Sequence, residues 1–166
     1  MIRRKNQTVE GEHRHFIGVI ADTHGLLRPE ALAVLGGCEL IVHAGDIGSD
    51  AVVQELSRLA PVHAVRGNVD KGPWTERLPA RDVVRVAETY LYVLHNLGEL
   101  DLDPKAAGFA AVISGHSHRP KIDEKDGVLY INPGSAGPRR FRLPVAVGRL
   151  ELEGGRLRGR IIELAV

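Results

Sequence analysis

The chain has 166 residues, enough to bury one substantial core but too few for two domains of ordinary size. Its hydrophobic fraction of 43% and charged fraction of 26% are those of an ordinary globular protein, and no apolar run approaches the roughly 20 residues of a membrane helix. The net charge of +1 gives no electrostatic reason to expect nucleic acid or anionic lipid as the partner.

Residues 1–15 are polar and unpatterned, so we predict a flexible N-terminal extension in front of a single domain at 16–166. His13 and His15 in this extension are expected to be solvated. No apolar segment of the kind a signal peptide needs occurs there. Cys38 is the only cysteine, which excludes an internal disulfide and fits a reducing compartment, so the cytoplasm is the expected location. A buried thiol is the simpler interpretation of Cys38 than a nucleophile.

The first half of the domain alternates between strand and helix patterns. Pro29 suits the first turn of a helix, and Ser49 can cap a second helix whose apolar residues share one face. The predicted order is a strand at 16–21, a helix at 29–35, a strand at 39–43, a helix from 50 through Leu59 and a strand at 61–65. Two strand–helix–strand crossings imply parallel neighbouring strands.

The second half is richer in strands. We predict an antiparallel pair at 82–88 and 89–94, one short helix within 101–108, a strand at 110–113, a hairpin at 121–123 and 128–131, and a final hairpin at 145–152 and 156–164. The inferred architecture is a layered α/β fold in which a parallel half and an antiparallel half pack on one another. Ligands of such folds gather where the strands end.

Seven oxygen and nitrogen donors stand just beyond apolar runs. They are Asp22, His24, Asp46, Asn68, His95, His116 and His118. One zinc site needs only four ligands, whereas seven suit two ions that share a bridging carboxylate, for which Asp46 is the candidate. Imidazole with carboxylate and amide oxygen, without thiolate, favours Mn²⁺, Fe²⁺, Co²⁺, Ni²⁺ or Zn²⁺ over Cu(I) or an iron–sulfur cluster. We take two divalent ions, with Mn²⁺ first among them, as the expected cofactors.

The series Asp-x-His, Gly-Asp, Gly-Asn, His and Gly-His-x-His, in that order, resembles the calcineurin-like metallophosphoesterase superfamily. The resemblance covers the chain from Phe16 to about Phe141. Gly-Asn-Val-Asp at 67–70, Gly-His-Ser-His at 115–118 and Asn-Pro-Gly-Ser at 132–135 are similar to the smaller YfcE or MJ0936-like phosphodiesterase family.

This resemblance implies a fold and a set of metal ligands, and the sequence departs from the larger relatives at one position. The fold is an αββα sandwich of two mixed β-sheets flanked by helices, with a dinuclear metal site at the strand ends. The implied ligands are Asp22, His24 and His118 for the first metal, Asp46 as the bridge, and Asn68, His95 and His116 for the second, with Asp46, Asn68 and His116 taking part in catalysis. The departure is Val69, which stands where larger relatives have a histidine able to protonate a leaving group.

Other polar residues near these motifs have two interpretations each. Arg66, Arg119, Arg139 and Arg140 have the bidentate fork that clamps phosphate oxygens, although a solvated position is the simpler reading of any one of them. His43 either positions a metal ligand or is a hydrogen-bonded core histidine, and the sequence favours neither. We assign His63 and Trp74 to structure.

The leading hypothesis is a divalent-metal-dependent phosphodiesterase that hydrolyses a small phosphodiester or phosphate ester. In it, two ions polarise the phosphoryl oxygens and a hydroxide bridging them attacks phosphorus in line. One alternative is a binding scaffold, as in the retromer subunit that resembles this fold; another is a single-strand nuclease. With three tyrosines, one tryptophan and a near-zero charge, a stacking groove for nucleic acid is not expected. The oligomeric state is left open, and a homo-oligomer is compatible with the sequence.

Overall fold

The computed structural model describes residues 13–166 and contains two five-stranded β-sheets. The strands are β1 (Arg14–Ile20), β2 (Leu40–His43), β3 (Val62–Ala64), β4 (Arg81–Val86), β5 (Thr89–Leu94), β6 (Ala111–Ile113), β7 (Lys121–Lys125), β8 (Val128–Asn132), β9 (Ala146–Glu153) and β10 (Arg156–Glu163). The helices are α1 (Pro29–Leu35) and α2 (Asp50–Ser57), with 3₁₀ turns at Pro73–Thr75 and Leu97–Glu99.

Both sheets are mixed, which confirms the expected fold class. The first sheet has the order β10-β9-β1-β2-β3, with β1, β2 and β3 parallel and β9 antiparallel to β1. The second has the order β4-β5-β6-β8-β7, with β5, β6 and β8 parallel. The expected division into a parallel and an antiparallel half is wrong, because the C-terminal hairpin pairs with β1 and not with the second sheet.

The main core lies between the two sheets, and its composition follows from alternation along the strands. In β1, Ile17 and Val19 belong to the inter-sheet cluster, while Ile20 packs with the helices on the other face. Gly18 lies on the helix side, where a Cβ would come within 2.6 Å of the Leu35 side chain. Only glycine lets α1 pack this closely on β1, which anchors the strand leading to Asp22.

Two predicted boundaries differ from the structure. β1 begins at Arg14, because residues 14–19 pair with β9, so the extension predicted for 1–15 can hold only for residues 1–12, which lie outside the described residues. The helix α2 ends at Ser57, and Leu59 is 41% exposed. The cause is Pro61, which disfavours helical backbone at the residue before it.

The short helix predicted within 101–108 is wrong. The Asp103 side chain accepts the N–H groups of Lys105 and Ala106, and Gly108 turns the chain with a φ of +85°. These features make a compact turn in place of a helix. Together with the 3₁₀ turn at Leu97–Glu99, this segment covers the outer face of the second sheet, where Leu100, Leu102 and Phe109 pack on Tyr92.

The described part of the chain contains no helix long and apolar enough to cross a bilayer. Cys38 is buried as a free thiol, and burial raises its pKa. The buried thiol agrees with the expectation for Cys38.

Candidate metal centre

The seven predicted donors lie together at one edge of the sandwich. Each stands in a loop that follows the carboxyl end of a parallel strand, namely β1, β2, β3, β5 or β6. Short links among them include His118 Nε2 to Asp22 Oδ1 at 3.4 Å, His95 Nε2 to Asp46 Oδ2 at 3.3 Å, and His95 Nε2 to Asn68 Oδ1 at 3.0 Å. The convergence predicted from strand ends is therefore observed.

The backbone is unusual at five of these seven positions. Asp22, His24, Asp46, His116 and His118 have φ between 47° and 74°, a region that residues with a Cβ rarely occupy. Hydrogen bonds between the loops hold this conformation, such as His24 N–H to the Asp46 carbonyl at 3.0 Å. Gly48 permits the contact, since a Cβ there would lie 2.2 Å from the backbone N of Gly25. Such strain concentrates at functional sites.

The first group of donors is the more deeply buried. Asp22 is 0% exposed and His118 is 3% exposed. Asp22 Oδ1 lies 3.4 Å from His118 Nε2 and 3.9 Å from His24 Nε2, yet it is a buried oxygen without a hydrogen-bond partner in the described chain. The other carboxylate oxygen accepts the His116 backbone N–H at 3.0 Å. One oxygen is thus held in place and the other is free for a cation.

The second group faces solvent through Asn68 and His116, which are exposed, while His95 and Asp46 are buried. His95 Nδ1 lies 2.7 Å from the Ala44 carbonyl and donates to it, which aims Nε2 at the cluster. Asn68 Oδ1 lies 3.3 Å from His116 Nδ1. Asp46 Oδ1 accepts the Val69 N–H at 3.1 Å, so only Oδ2 faces the imidazoles.

The ionisation of the cluster fits a cation site. Burial raises the pKa of Asp22 to about 7, and repulsion from Asp46 acts in the same direction. Burial also lowers the pKa of His118 to about 4, helped by the nearby charges of Arg140 and His24. A neutral imidazole has the lone pair that a metal needs, and a cation would replace the proton that Asp22 otherwise holds. The residues present therefore fit divalent ions.

For each proton that a bound cation displaces, metal affinity is expected to fall by up to about tenfold per pH unit below about pH 7, since Asp22 must lose its proton to bind a cation. Its pKa of about 7 places the onset there, and His95, whose pKa is raised because hydrogen bonds to Asp46 and Ala44 outweigh its burial, adds a second proton to displace. His118 stays neutral in this range. Calorimetric titration with Mn²⁺ at pH 6, 7 and 8, in buffers of different ionisation enthalpy, counts the protons released. An equal affinity at all three values would contradict the assignment.

Asp70 is a functional residue that sequence reasoning did not identify. It is 5% exposed, and its carboxylate accepts backbone N–H groups from Ile47, Gly48 and Gly67 at 3.2, 2.9 and 2.8 Å. One side chain thereby ties the loop that carries Asp46 to the loop that carries Asn68. The available signal was its place at the end of the Gly-Asn-Val-Asp motif.

His43 positions the loops that carry metal ligands. Its Nδ1 accepts the Gly45 N–H at 3.1 Å, so Nε2 carries the proton and donates to Thr23 Oγ1 at 3.0 Å. Thr23 in turn donates to the Ile47 carbonyl at 2.8 Å. Complete burial lowers the pKa of His43 to about 3, so the ring is neutral. Both predicted interpretations of His43 are therefore partly right: it is a hydrogen-bonded core residue that also supports the ligand loops.

The Asn-Pro-Gly-Ser turn supports two further ligand loops. Asn132 Nδ2 donates to the Gly115 carbonyl at 2.9 Å, next to His116. Ser135 Oγ donates to the Asp22 carbonyl at 2.9 Å. Gly137 lies against the same loop, where a Cβ would come within 2.3 Å of the Thr23 carbonyl. These contacts give this turn a positioning role for Asp22 and His116.

Only some of the four arginines border the cavities beside the cluster, where they could bind phosphate oxygens. Arg66 borders a small cavity together with Asn68, His95 and His116, and Arg119 borders a larger one beside His116. Arg139 donates to the carbonyl of Val166 at 3.0 Å, so its predicted role in substrate binding is not supported. Arg140 is the arginine whose charge lowers the pKa values of Asp22, His24 and His118.

Carboxylates and imidazoles grouped at the strand ends of a two-sheet α/β sandwich are typical of metal-dependent hydrolases. Residues 16–155 match the calcineurin-like phosphoesterase superfamily domain, and the chain belongs to this family. The resemblance in the sequence motifs is thereby confirmed.

Individual relatives support the same assignment. The chain is 36% identical over 157 residues to a probable metallophosphoesterase of Methanothermobacter thermautotrophicus, covering 88% of this chain and 91% of that protein. It is 27% identical over 165 residues to the phosphodiesterase MJ0936 of Methanocaldococcus jannaschii, covering 89% and 99%. The structure of vacuolar protein sorting 29 from Cryptosporidium parvum has a TM-score of 0.72 at 18% identity, covering 92% and 99%, and shares the fold.

Proposed function

We propose that the protein is a phosphodiesterase that requires two divalent ions, with Mn²⁺ as the first candidate. The observation that carries the proposal is the buried Asp22 Oδ1, which has no hydrogen-bond partner among residues 13–166 and lies 3.4 Å from His118 Nε2, 3.9 Å from His24 Nε2 and 4.0 Å from His95 Nε2. A buried oxygen in that setting costs free energy unless a cation binds it. Family membership makes a phosphate ester the natural substrate.

Asp22, His24 and His118 would hold one ion, and Asn68, His95 and His116 the other, with Asp46 shared. Asp46 Oδ2 supports the sharing, because it lies 3.3 Å from His95 Nε2 and 3.9 Å from His24 Nε2. Divalent ions bound there would supply the positive charge that polarises a phosphoryl oxygen and lowers the pKa of a water molecule. In the net reaction a water oxygen bonds to phosphorus, one ester P–O bond breaks, and the departing oxygen keeps the electron pair.

The burial of the donor residues determines the side from which a substrate can reach the metal centre. Asn68 and His116 are exposed, whereas Asp22 and His118 are buried, so a substrate reaches the cluster from the side of Asn68 and His116. Backbone hydrogen bonds hold Asp22 and Asp46 rigidly, which keeps the two carboxylates oriented without cost during the reaction. The single negative charge of a diester demands less cationic clamping than a monoester, which agrees with the few arginines at the site.

Hydrolysis is expected to depend steeply on the pKa of the leaving group, because Val69 cannot donate a proton. Its side chain is 45% exposed and its N–H is bonded to Asp46, so it borders the cluster. Val69→His should improve poor leaving groups relative to good ones, by up to about 10²-fold, while Val69→Ala serves as the control. The measurement is rate against leaving-group pKa for a series of aryl and alkyl diesters.

A shallow dependence in the wild-type protein would mean that another group donates the proton. His43 cannot be that donor: it is fully buried and both ring nitrogens are engaged by Gly45 and Thr23. Its low pKa also means that the acidic imidazolium form is absent at neutral pH.

The direct test of the proposed function is a metal-resolved screen with bis-p-nitrophenyl phosphate and p-nitrophenyl phosphate. We expect the metal-stripped protein to be inactive, added Mn²⁺ to restore activity, and the diester to be hydrolysed faster. A scaffold without catalysis would hydrolyse neither substrate with any of the five candidate metals. Faster hydrolysis of the monoester would keep the metal centre and refute the diester preference.

The alternatives receive less support. A scaffold function does not require the seven donors, yet all of them converge. A single-strand nuclease needs exposed aromatic rings beside its reactive centre. Tyr90 and Phe141 are exposed, but neither lines the cavities next to the cluster, while Tyr92 is buried and Trp74 packs into the helix-side core. The cytoplasmic location and a homo-oligomer stay predictions from sequence alone.

A further inference from the structure

A cavity of about 600 Å³ lies beside the candidate metal centre, on the outer face of the second sheet. It shares Asn96 and His116 with a smaller cavity of about 250 Å³, whose lining includes Asn68 and His95. The two cavities are therefore neighbours that meet at these two residues. The larger one has the volume of a typical small-molecule site, which is roughly 300–1,000 Å³.

The floor and one wall of the larger cavity are apolar. Leu97 and Leu100 come from the segment after β5, and Tyr130 comes from β8. Leu97 is 41% exposed, so its apolar side chain is accessible to a ligand beside the candidate metal centre. An apolar surface next to a polar centre fits a ligand with an apolar or aromatic portion joined to its phosphate.

The rim of the cavity is cationic. Alternate residues of a strand point to one face, so Lys121, Asp123 and Lys125 of β7 all border the cavity, together with Arg119. Lys121 Nζ lies 3.9 Å from Asp123 Oδ2. Within residues 13–166, Lys125 and Arg119 form no ion pair. Three cations against one carboxylate give the rim an excess positive charge that fits a second anionic group.

We propose that this cavity binds the retained arm of a phosphodiester, and that this arm is an apolar or aromatic group ending in a second anion such as a phosphate monoester. The proposal rests on the proposed function, since it assumes that a diester binds at the metal centre. It specifies the substrate class: the scissile phosphate lies at the centre, the arm passes His116 and Asn96, and the second anion meets Lys121 and Lys125.

The test compares two substrates that release the same p-nitrophenol. One is thymidine 5′-(p-nitrophenyl phosphate), and the other is its 3′-phosphorylated derivative. We expect the Mn²⁺-loaded protein to show a KM about tenfold lower for the 3′-phosphorylated compound, because charge-assisted hydrogen bonds to phosphate are the strong ones. The double variant Lys121→Gln and Lys125→Gln should reduce this ratio to about twofold or less.

Two controls separate this effect from general electrostatics and from loss of folding. Arg156→Gln with Arg160→Gln removes the same two charges from exposed positions on β10, and it should keep the tenfold ratio. The rate with bis-p-nitrophenyl phosphate, which lacks the second anion, should be within about twofold of wild type in both double variants. Equal KM values for the two substrates in the wild-type protein, or a ratio that survives the lysine substitutions, would overturn the proposal.

If no substrate is hydrolysed, the proposed function has failed, and binding still decides the cavity. Titration calorimetry with thymidine 3′,5′-bisphosphate should then give an affinity about tenfold weaker for the lysine double variant than for the arginine double variant. Equal affinities would overturn the cavity assignment without reference to catalysis.

Discussion

Replacing Asp46 by asparagine is expected to abolish hydrolysis and to lower the metal content from two ions to one or fewer. The Asp46 Oδ1 atom is engaged by the Val69 N–H at 3.1 Å, so the single oxygen of an asparagine would stay there. Its NH₂ group would then point at His95 and His24, where no cation can coordinate it. Loss of the shared charge should reduce the rate by about 10³-fold or more.

The measurements are elemental analysis of the purified protein and the rate with bis-p-nitrophenyl phosphate. Asn68→Ala is the matched comparison, because Asn68 belongs to the second group only and its loss should weaken mainly one ion. The metal-free Asp46→Asn protein should be slightly less stable than the metal-free wild type: burial opposes the charge of Asp46, but hydrogen bonds from His95 and Val69 outweigh it and lower the pKa of this carboxyl, so its charge favours the folded state at neutral pH. Full activity in the variant without bound metal would refute a mechanism with two ions.

Replacing Asp70 by alanine is expected to reduce the free energy of unfolding by about 3–5 kcal/mol and to disorder the metal centre. Three backbone N–H groups, from Ile47, Gly48 and Gly67, would lose their common acceptor. Each buried donor left unpaired costs about 1–3 kcal/mol, and the three costs are not fully additive. The loops of Asp46 and Asn68 would also lose their common tie, so metal affinity should fall in the molecules that still fold.

Denaturant unfolding of the metal-free protein and a separate Mn²⁺ titration measure the two effects. Asp70→Asn keeps one acceptor oxygen and should give an intermediate loss of stability. Glu124→Ala, an exposed position on the edge strand β7, should change stability by less than about 0.5 kcal/mol. A loss below about 1 kcal/mol for Asp70→Ala would show that water replaces the carboxylate at these N–H groups.

The metal centre was the part most accessible from the sequence. Apolar runs that end in Asp22, Asp46 or His95 predict donors at strand ends, and parallel strands bring those ends to one edge. The strands themselves carry strong alternation, so the hairpins at β7–β8 and β9–β10 were also predicted. What the pattern could not decide was which sheet the C-terminal hairpin joins, because its solvated face is compatible with either sheet edge.

The residues that sequence reasoning missed act through backbone groups. Asp70 and Asn132 bind N–H and C=O groups of loops far from them in sequence, and no periodicity reports such contacts. The contact of Arg139 with the carbonyl of Val166 was likewise not predictable from the sequence, and its role in substrate binding stays a prediction. The helix predicted within 101–108 does not form because a turn competes with it locally. The Asp103 side chain accepts the backbone N–H groups of Lys105 and Ala106, which stabilises the turn.

Backbone strain is concentrated at the candidate metal centre. The residues with left-handed φ values there are Asp22, His24, Asp46, His116 and His118. Each such residue costs of order 1–3 kcal/mol relative to glycine-like freedom, and in the metal-free protein only the surrounding hydrogen bonds compensate it. Replacing one of these residues by glycine should therefore relieve backbone strain while it removes a candidate ligand. The candidate centre is thus built from side chains at positions where glycine would be the least strained residue.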